Sequence, residues 1–243
     1  MTALDALSRD EIAARLAAPP AERAAFLCEA AEAGHAEAQA VYAQMLLDGV
    51  GVAADPRAAL DWFVKAAAQH HLMALNMVGR CYDLGWGTGI DKARAAACYR
   101  VAASRGLVEA MYNYATLLTL GQGVAEDKAA ALALYREAAD RGYAKAINHV
   151  GSFAEDGWAC ARDLALAARC YAQAAEGGDF RGAFNHGRML AADGRIEDAV
   201  LWIRRAAERG TPAFAAKLAG WLAVQQHASL RALAAPLSEH AAC

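Results

Sequence analysis

The strongest constraint in this sequence is a repeat with a period of 36 residues. Glycines recur at that interval at Gly49, Gly85, Gly121 and Gly157. An aspartate, an aromatic residue and a pair of alanines recur in the same four units. These markers are Asp55, Asp91, Asp127 and Asp163; Phe63, Tyr99, Tyr135 and Tyr171; and Ala66-Ala67, Ala102-Ala103, Ala138-Ala139 and Ala174-Ala175. Because self-similarity at roughly 20–50 residues marks stacked structural repeats, the chain is predicted to be a repeat array.

Each unit is predicted to fold as two helices, A and B, joined by a glycine-rich turn. Alanine, the best helix former, supplies 67 of the 243 residues. Asp55 and Asp91 are placed to cap the N-termini of helices B, and Pro56 suits the first helical position. The recurring aromatic residue is expected to wedge between helices A and B. Helix B is expected to end in a left-handed glycine at Gly106, Gly142, Gly177 and Gly210.

The repeats divide the chain into three parts. Five repeats are expected at 35–70, 71–106, 107–142, 143–178 and 179–210, the last of them four residues shorter. Residues 1–34 are expected to form an N-terminal capping helix pair, in which Ser8 and Glu11 form a capping box. Residues 211–243 are expected to form a C-terminal capping helix, begun by Thr211, and a tail. Such atypical ends hide the last apolar faces of a repeat array.

Composition excludes several classes of protein. The formal charge is −3, with 24 basic and 27 acidic residues, which does not suit a general nucleic-acid binder. No apolar run reaches the ~20 residues that a membrane-spanning helix needs, so no membrane insertion is expected. The N-terminus lacks the pattern of a signal peptide, which favours a cytoplasmic location. The six cysteines have no regular spacing, and a disulfide or zinc framework is not favoured.

The markers together resemble a known family. The pattern consists of Ala-Glu-Ala-Gln at 36–39, Gly49-Val-Gly51-Val52, Asp55, Ala59, Trp62-Phe63 and Ala66-Ala67. It is similar to the Sel-one-like repeat (SLR) family, a subfamily of the tetratricopeptide-type α-solenoids. The resemblance covers roughly residues 20–225. It departs at Ala159, which replaces the second turn glycine, and in the fifth unit, which lacks the long turn.

The resemblance implies both a fold and a function. The implied fold is all-α: a right-handed superhelical solenoid of antiparallel helix pairs whose A helices line the concave surface. The implied function is that of a bacterial adaptor or scaffold that binds other proteins or peptides and is not an enzyme. No cofactor is expected. A monomer or weak dimer is expected, and a self-assembling structural element is the alternative.

Helical periodicity places a polar arc of each helix A away from its apolar arc, at the expected concave surface. The candidate protein-binding residues are Gln44, Asn76, Arg80, Asp83, Tyr112, Asn113, Thr116, Asn148, His149, Ser152, Glu155, Phe184, Asn185 and Arg188. Asparagine recurs on this arc although it is a mediocre helix former. Its amide could grip the backbone of an extended peptide. Tyr112 and Phe184 could serve as aromatic anchors, and Arg80 and Arg188 could bind carboxylates. Two alternatives stay open: simple solvation, or a local bond to the next helix A.

Catalytic and metal chemistry find little support. A hydrolase site of His149, Ser152 and Glu155 is disfavoured, because three side chains of one helix point outward side by side. A metal pair of His149 and His186 has little carboxylate support. Gly85-Trp-Gly87-Thr-Gly89 follows a helix rather than a strand, so it is interpreted as the repeat turn and not a phosphate cradle. Trp86 and Trp158 could form a second contact patch on the turns or fold back on their neighbours.

Overall fold

The structure, a computed structural model, describes residues 8–234 and is all-helical over that range, with no strand. The chain divides into two compact units, residues 1–127 and residues 128–243. Residues 1–7, on which the signal-peptide argument rests, and the tail beyond residue 234, including Cys243, lie outside the described residues. Across the described part of the chain, no helix is both long enough and apolar enough to span a membrane.

The first unit holds seven helices within its described residues. They are α1 Arg9–Ala17, α2 Pro20–Glu32, α3 Ala36–Asp48, α4 Pro56–Ala68, α5 Leu72–Leu84, α6 Lys92–Ser104 and α7 Val108–Leu120. Helices α3, α5 and α7 are A helices, and α2, α4 and α6 are B helices. Each packs on the next, and the core consists of small and aliphatic side chains such as Ala43, Leu60 and Met77. The predicted helix–turn–helix unit is confirmed.

The second unit, over residues 128–234, also holds seven helices. They are α8 Lys128–Asp140, α9 Ala144–Asp156, α10 Leu164–Glu176, α11 Phe180–Ala192, α12 Ile196–Arg209, α13 Pro212–Ala223 and α14 Ala228–Arg231. Helices α9, α11 and α13 are A helices, and α8, α10 and α12 are B helices. Thr211 caps α13 as predicted, by accepting a hydrogen bond from the Phe214 N–H. The short α14 buries Leu230 against the last helices.

Side chains cap the helices where the sequence places them. Asp55 accepts a hydrogen bond from the Ala58 N–H and Asp91 from the Arg94 N–H, both at 2.9 Å. These bonds satisfy backbone donors that a helix start otherwise leaves without a partner. Ser8 forms the predicted capping box with Glu11. The caps therefore fix the starts of α1, α4 and α6.

The ends of the B helices are partly as predicted. Gly106 and Gly142 are left-handed, with φ of 92° and 81°. Gly177 is not, because it is the C-cap residue of α10, with φ of −70°, and the following glycine, Gly178, takes φ of 86°. Gly210 is extended, at φ −73° and ψ 158°, because the N-cap of α13 follows it directly. The predictions for Gly177 and Gly210 are wrong.

The recurring aromatic residues are buried as predicted. Phe63, Tyr99, Tyr135 and Tyr171 are each exposed by 1% or less. In two repeats a mid-helix glycine of helix A makes room for the ring. A Cβ at Gly79 would lie 2.6 Å from Tyr99 Cε1, and a Cβ at Gly151 would lie 2.8 Å from Tyr171 Cε1. These rings wedge between helices A and B of their own repeat.

Candidate binding face on the A helices

The predicted binding residues fall on A helices in both units, and they form two sets. We call them the A face of the first unit and the A face of the second unit. The first set, on α3, α5 and α7, is Gln44, Asn76, Arg80, Asp83, Tyr112, Asn113 and Thr116. The second, on α9 and α11, is Asn148, His149, Ser152, Glu155, Phe184, Asn185 and Arg188. Asn76 and Asn148 are buried, and the other twelve residues are half-buried.

The asparagines form bridges between consecutive A helices. In the first unit, Asn113 Nδ2 donates to Asn76 Oδ1 at 2.9 Å. In the second, Asn185 Nδ2 donates to Asn148 Oδ1 at the same distance. The prediction that all four amides line an open surface is wrong for Asn76 and Asn148, which are 3% and 4% exposed. A buried amide needs a hydrogen-bond partner, and here the next helix A supplies it.

The outer member of each bridge keeps part of its hydrogen-bonding capacity. Asn113 and Asn185 are half-buried, and each uses one of its two amide hydrogens in the bridge. Their second N–H and their carbonyl oxygen bond to no other residue between positions 8 and 234. An amide offers two donors and an acceptor, so each of these side chains still presents a donor and an acceptor.

A carboxylate network occupies the A face of the second unit. Arg188 donates to both carboxylate oxygens of Glu155, at 2.9 and 2.6 Å, and the Tyr171 hydroxyl donates to Glu155 at 2.7 Å. The bond from Arg188 holds the pKa of Glu155 below its usual value, Tyr171 adds to this, and burial acts in the opposite direction. Arg188, predicted to meet a partner's carboxylate, is therefore paired within the chain. The hydroxyl contact was not predicted, although Tyr99 and Tyr171 stand 16 residues after an acidic residue in both cases.

Arg80 differs from Arg188 in its surroundings. It lies over the Trp86 ring, with Cζ at 4.8 Å from the ring centroid, and forms no ion pair with a carboxylate of the described residues. The nearby Asp83 is paired with Lys92 and accepts a bond from Tyr99. Of the two predicted carboxylate-binding arginines, only Arg80 remains without an acidic partner in the described chain.

Other predicted contact residues are engaged in local packing or local hydrogen bonds. Phe184 packs edge-on against Phe214 and Trp221, at centroid distances of 5.9 and 5.2 Å, because the C-terminal helices close over it. Gln44 donates to Asp48, and the Thr116 hydroxyl donates to the carbonyl of Tyr112 one turn earlier. The predicted aromatic anchor at Phe184 therefore belongs to the C-terminal core.

The geometry at His149, Ser152 and Glu155 does not form a nucleophile–base pair. His149 stacks on Tyr135 at 4.7 Å, with ring planes 6° apart. Ser152 Oγ donates to its own helix at the Asn148 carbonyl, and Glu155 is held by Arg188. His186 packs on Trp202, and residues 8–234 contain no group of three or more His, Cys, Asp or Glu side chains arranged to hold a metal ion.

The other residues that the sequence singles out are the cysteines and the two tryptophans of the turns. The five described cysteines are free, and burial raises the pKa of Cys81 to about 11, which disfavours the nucleophilic thiolate. Trp86 is half-buried against the first unit's core, whereas Trp158 is 41% exposed, with Lys128 Nζ 4.9 Å from its ring. Trp86 therefore folds back on its neighbours, whereas Trp158 packs edge-on against Phe153 and stays partly exposed.

Acid is expected to destabilise the second unit through His149. Burial lowers the pKa of His149 to about 4, and the positive charge of Arg181 acts in the same direction. Between pH 6.5 and 4 the unfolded chain thus binds more protons than the folded chain, so stability falls as pH falls through this window. The contribution is about 2 kcal/mol between pH 7 and pH 5. Urea denaturation at both pH values should show this loss.

The matched variant for this test is His149→Phe, which keeps a ring against Tyr135. It should lose less stability than the wild type between pH 7 and pH 5. Some pH dependence remains, because burial also lowers the pKa of His186. An equal loss in both proteins would contradict the assignment to His149.

Comparison with known proteins agrees with this architecture. The Sel1 repeat model matches five consecutive segments, residues 36–71, 72–107, 108–143, 144–179 and 183–211. A search among curated proteins finds no match.

Several solved structures share the fold. A Sel1 repeat protein from Oxalobacter formigenes is 24% identical, with a TM-score of 0.73 over 91% of this chain and 99% of the other. The c5321 protein, a protective antigen of uropathogenic Escherichia coli with an SLR fold, is 23% identical, with a TM-score of 0.67. That match covers 91% of this chain, which spans only 50% of the c5321 chain. The immunity protein Pa5087 from Pseudomonas aeruginosa is 16% identical, with a TM-score of 0.58 over 85% of this chain and 81% of the other. With five consecutive matched repeats, the chain belongs to the Sel1 repeat family.

Proposed function

We propose that this protein is a non-catalytic adaptor that binds a protein or extended peptide segment on the A face of its helices. Sel1 repeat proteins are generally protein-interaction scaffolds, which supports the general class. The observation that carries the proposal is the outer amide of each bridge. Asn113 and Asn185 are fixed by one hydrogen bond and still present a donor and an acceptor. An extended peptide backbone offers the complementary groups.

The bridges give this surface a preorganised geometry. An amide held by its neighbour loses little conformational freedom on binding, so less of the interaction energy is spent on ordering it. In the first unit, Arg80 and Tyr112 are half-buried and belong to the same A face as Asn113. An arginine without an internal carboxylate partner favours a ligand with an acidic side chain. The proposed ligand of the first unit is therefore an extended segment that carries an aspartate or glutamate.

Selection from a displayed library of random peptides tests this proposal. Peptides enriched on the full chain are synthesised, and their affinities are measured by fluorescence polarisation. The binding variant is Arg80→Ala with Tyr112→Ala, which leaves the asparagine bridge intact. The control is Arg57→Ala with Asp61→Ala, an exposed ion pair on α4 of the same unit. We expect acidic peptides whose affinity falls at least tenfold (about 1.4 kcal/mol) in the binding variant and stays unchanged in the control.

Three outcomes would count against the proposal. Peptides that bind both variants as tightly as the wild type would place the contact elsewhere, with Trp158 as the next surface to test. Failure to enrich any peptide would contradict a peptide-binding function. A mass that rises with protein concentration, together with binding lost on dilution, would favour the self-assembling alternative.

A further inference from the structure

The second unit contains a cavity that the A face does not include. Its volume is about 250 Å³, and it lies where the end of α10 and the start of α11 meet α12. Its lining residues include Ala175, Asp179, Ala183, Trp202 and Arg209. Backbone, carboxylate, aromatic and guanidinium groups thus surround one small space.

The first unit fills the matching space with its own side chain. Gln39 occupies the position four repeats before Ala183, and Gln69 matches Arg209 once the four-residue deletion is counted. Gln39 is 5% exposed. Its amide donates to the Ala31 carbonyl at 3.0 Å and accepts from Gln69 Nε2 at 2.8 Å.

The second unit keeps the surroundings of that amide but not the amide itself. Ala175 corresponds to Ala31, and Trp202 corresponds to Trp62. Ala183 ends at Cβ and cannot reach the Ala175 carbonyl. The space that a carboxamide fills in the first unit is therefore the cavity in the second.

Two charged side chains at the cavity, Asp179 and Arg209, have hydrogen-bonding groups that no described residue engages. Asp179 is 5% exposed and caps α11, with Oδ2 accepting from the Gly182 N–H at 2.8 Å. Its other carboxylate oxygen accepts from no group in residues 8–234. Arg209 Nη1 lies 3.3 Å from the position of a Cβ on Gly178, which also lines the cavity. Arg209 forms no hydrogen bond or ion pair with the described residues.

These groups define the ligand that the cavity suits. Ala175 O already accepts from the Gly178 N–H at 3.1 Å and, like Ala31 O in the first unit, can accept one bond more. Asp179 Oδ1 can likewise accept a hydrogen bond, while Arg209 can donate one. A carboxylate supplies no donor and would be repelled by Asp179. An ammonium group supplies no acceptor for Arg209. Glu176 and Arg205 also line the cavity, so its acidic and basic side chains balance, which favours a neutral polar group. A carboxamide supplies two N–H donors and one carbonyl acceptor on one small planar group.

We propose that the cavity formed by Ala175, Asp179, Ala183, Trp202 and Arg209 is a binding site for a carboxamide group, as carried by glutamine. The carboxamide comes either from a free amino acid or from a glutamine side chain of a bound polypeptide. The site lies outside the A face of the second unit, so it does not depend on the function proposed above.

Isothermal titration calorimetry on the full chain tests the site with three probes. They are N-acetyl-L-glutamine methylamide, free L-glutamine and, as the isosteric control, N-acetyl-L-glutamate methylamide. We expect saturable binding of a glutamine probe and at least tenfold weaker binding of the glutamate probe. Binding of the blocked probe indicates a polypeptide side chain as the source, and binding of free L-glutamine alone indicates the amino acid.

The decisive variant is Ala183→Gln, which restores in the second unit the amide that Gln39 provides in the first. It should melt no lower than the wild type and lose glutamine binding. Arg209→Ala changes an exposed residue, so it should fold normally and weaken binding at least tenfold. The proposal is overturned if neither glutamine probe binds the wild type, or if Ala183→Gln binds them unchanged.

Discussion

Replacing Tyr171 with alanine is expected to lower the free energy of unfolding of the second unit by about 3–5 kcal/mol. The ring is 1% exposed and packs so closely on α9 that Gly151 has no room for a Cβ. Its removal leaves a cavity between α9 and α10. It also removes the hydroxyl that donates to Glu155 at 2.7 Å.

The companion variant Tyr171→Phe separates these two contributions. It keeps the ring and loses only the hydroxyl, with its bonds to the ionised Glu155 carboxylate and to Ser152 Oγ, a loss of about 1–2 kcal/mol. Urea denaturation of both variants, followed by far-ultraviolet circular dichroism, measures the difference. If the phenylalanine variant lost as much stability as the alanine variant, packing of the ring would not be the main contribution.

Gly87→Ala is expected to destabilise the first unit by about 3 kcal/mol, whereas Ala159→Gly is expected to stabilise the second by up to about 1 kcal/mol. The two residues hold the same place in their repeats. Gly87 has φ of 67°, and a Cβ there would lie 2.1 Å from the Pro56 carbonyl oxygen. The substitution thus combines left-handed strain with a backbone clash.

Ala159 already carries the side chain that Gly87 lacks. Its φ of 54° is left-handed, which costs an L-residue about 1–2 kcal/mol. Glycine removes that strain, which raises the free energy of unfolding. Part of this increase is lost, because glycine makes the unfolded chain more flexible. Midpoints of urea denaturation for the two variants, each against wild type, should therefore shift in opposite directions. Shifts of the same sign would show that the two turns do not have equivalent surroundings.

Much of the fold could be predicted from the sequence because the repeat aligns weak local signals. A single aspartate at the start of an alanine-rich segment is a modest indication of a helix start. The same signal at Asp55, Asp91 and Asp163 predicts caps that the structure confirms. The predicted left-handed glycine at the end of α10, Gly177, is one position too early. Two adjacent glycines follow this helix, and either could take the left-handed conformation. Only the period of 36, applied strictly from Gly142, selects Gly178.

The binding face was harder to predict, since helical periodicity gives the direction of a side chain but not its neighbour. Asn76 and Asn113 differ by one position within their repeats, and this offset lets the amide of one reach the amide of the next. The cavity beside Ala183 gave no signal, because an alanine on a helix is unremarkable in an alanine-rich chain. It becomes visible only when the buried Gln39 of the first unit is compared with its counterpart.

The asparagine bridges also determine how such a chain can change length. Asn76 and Asn148 are 72 residues apart, and so are Asn113 and Asn185, so the bridged arrangement recurs every second repeat. Gly79 and Gly151 follow the same doubled spacing, whereas the aromatic residue recurs in every repeat. The bridge and the mid-helix glycine thus recur together as a module of two repeats. Gene duplication or deletion in steps of 72 residues preserves every bridge, whereas a step of 36 can bring an asparagine next to a helix that has no amide to receive it.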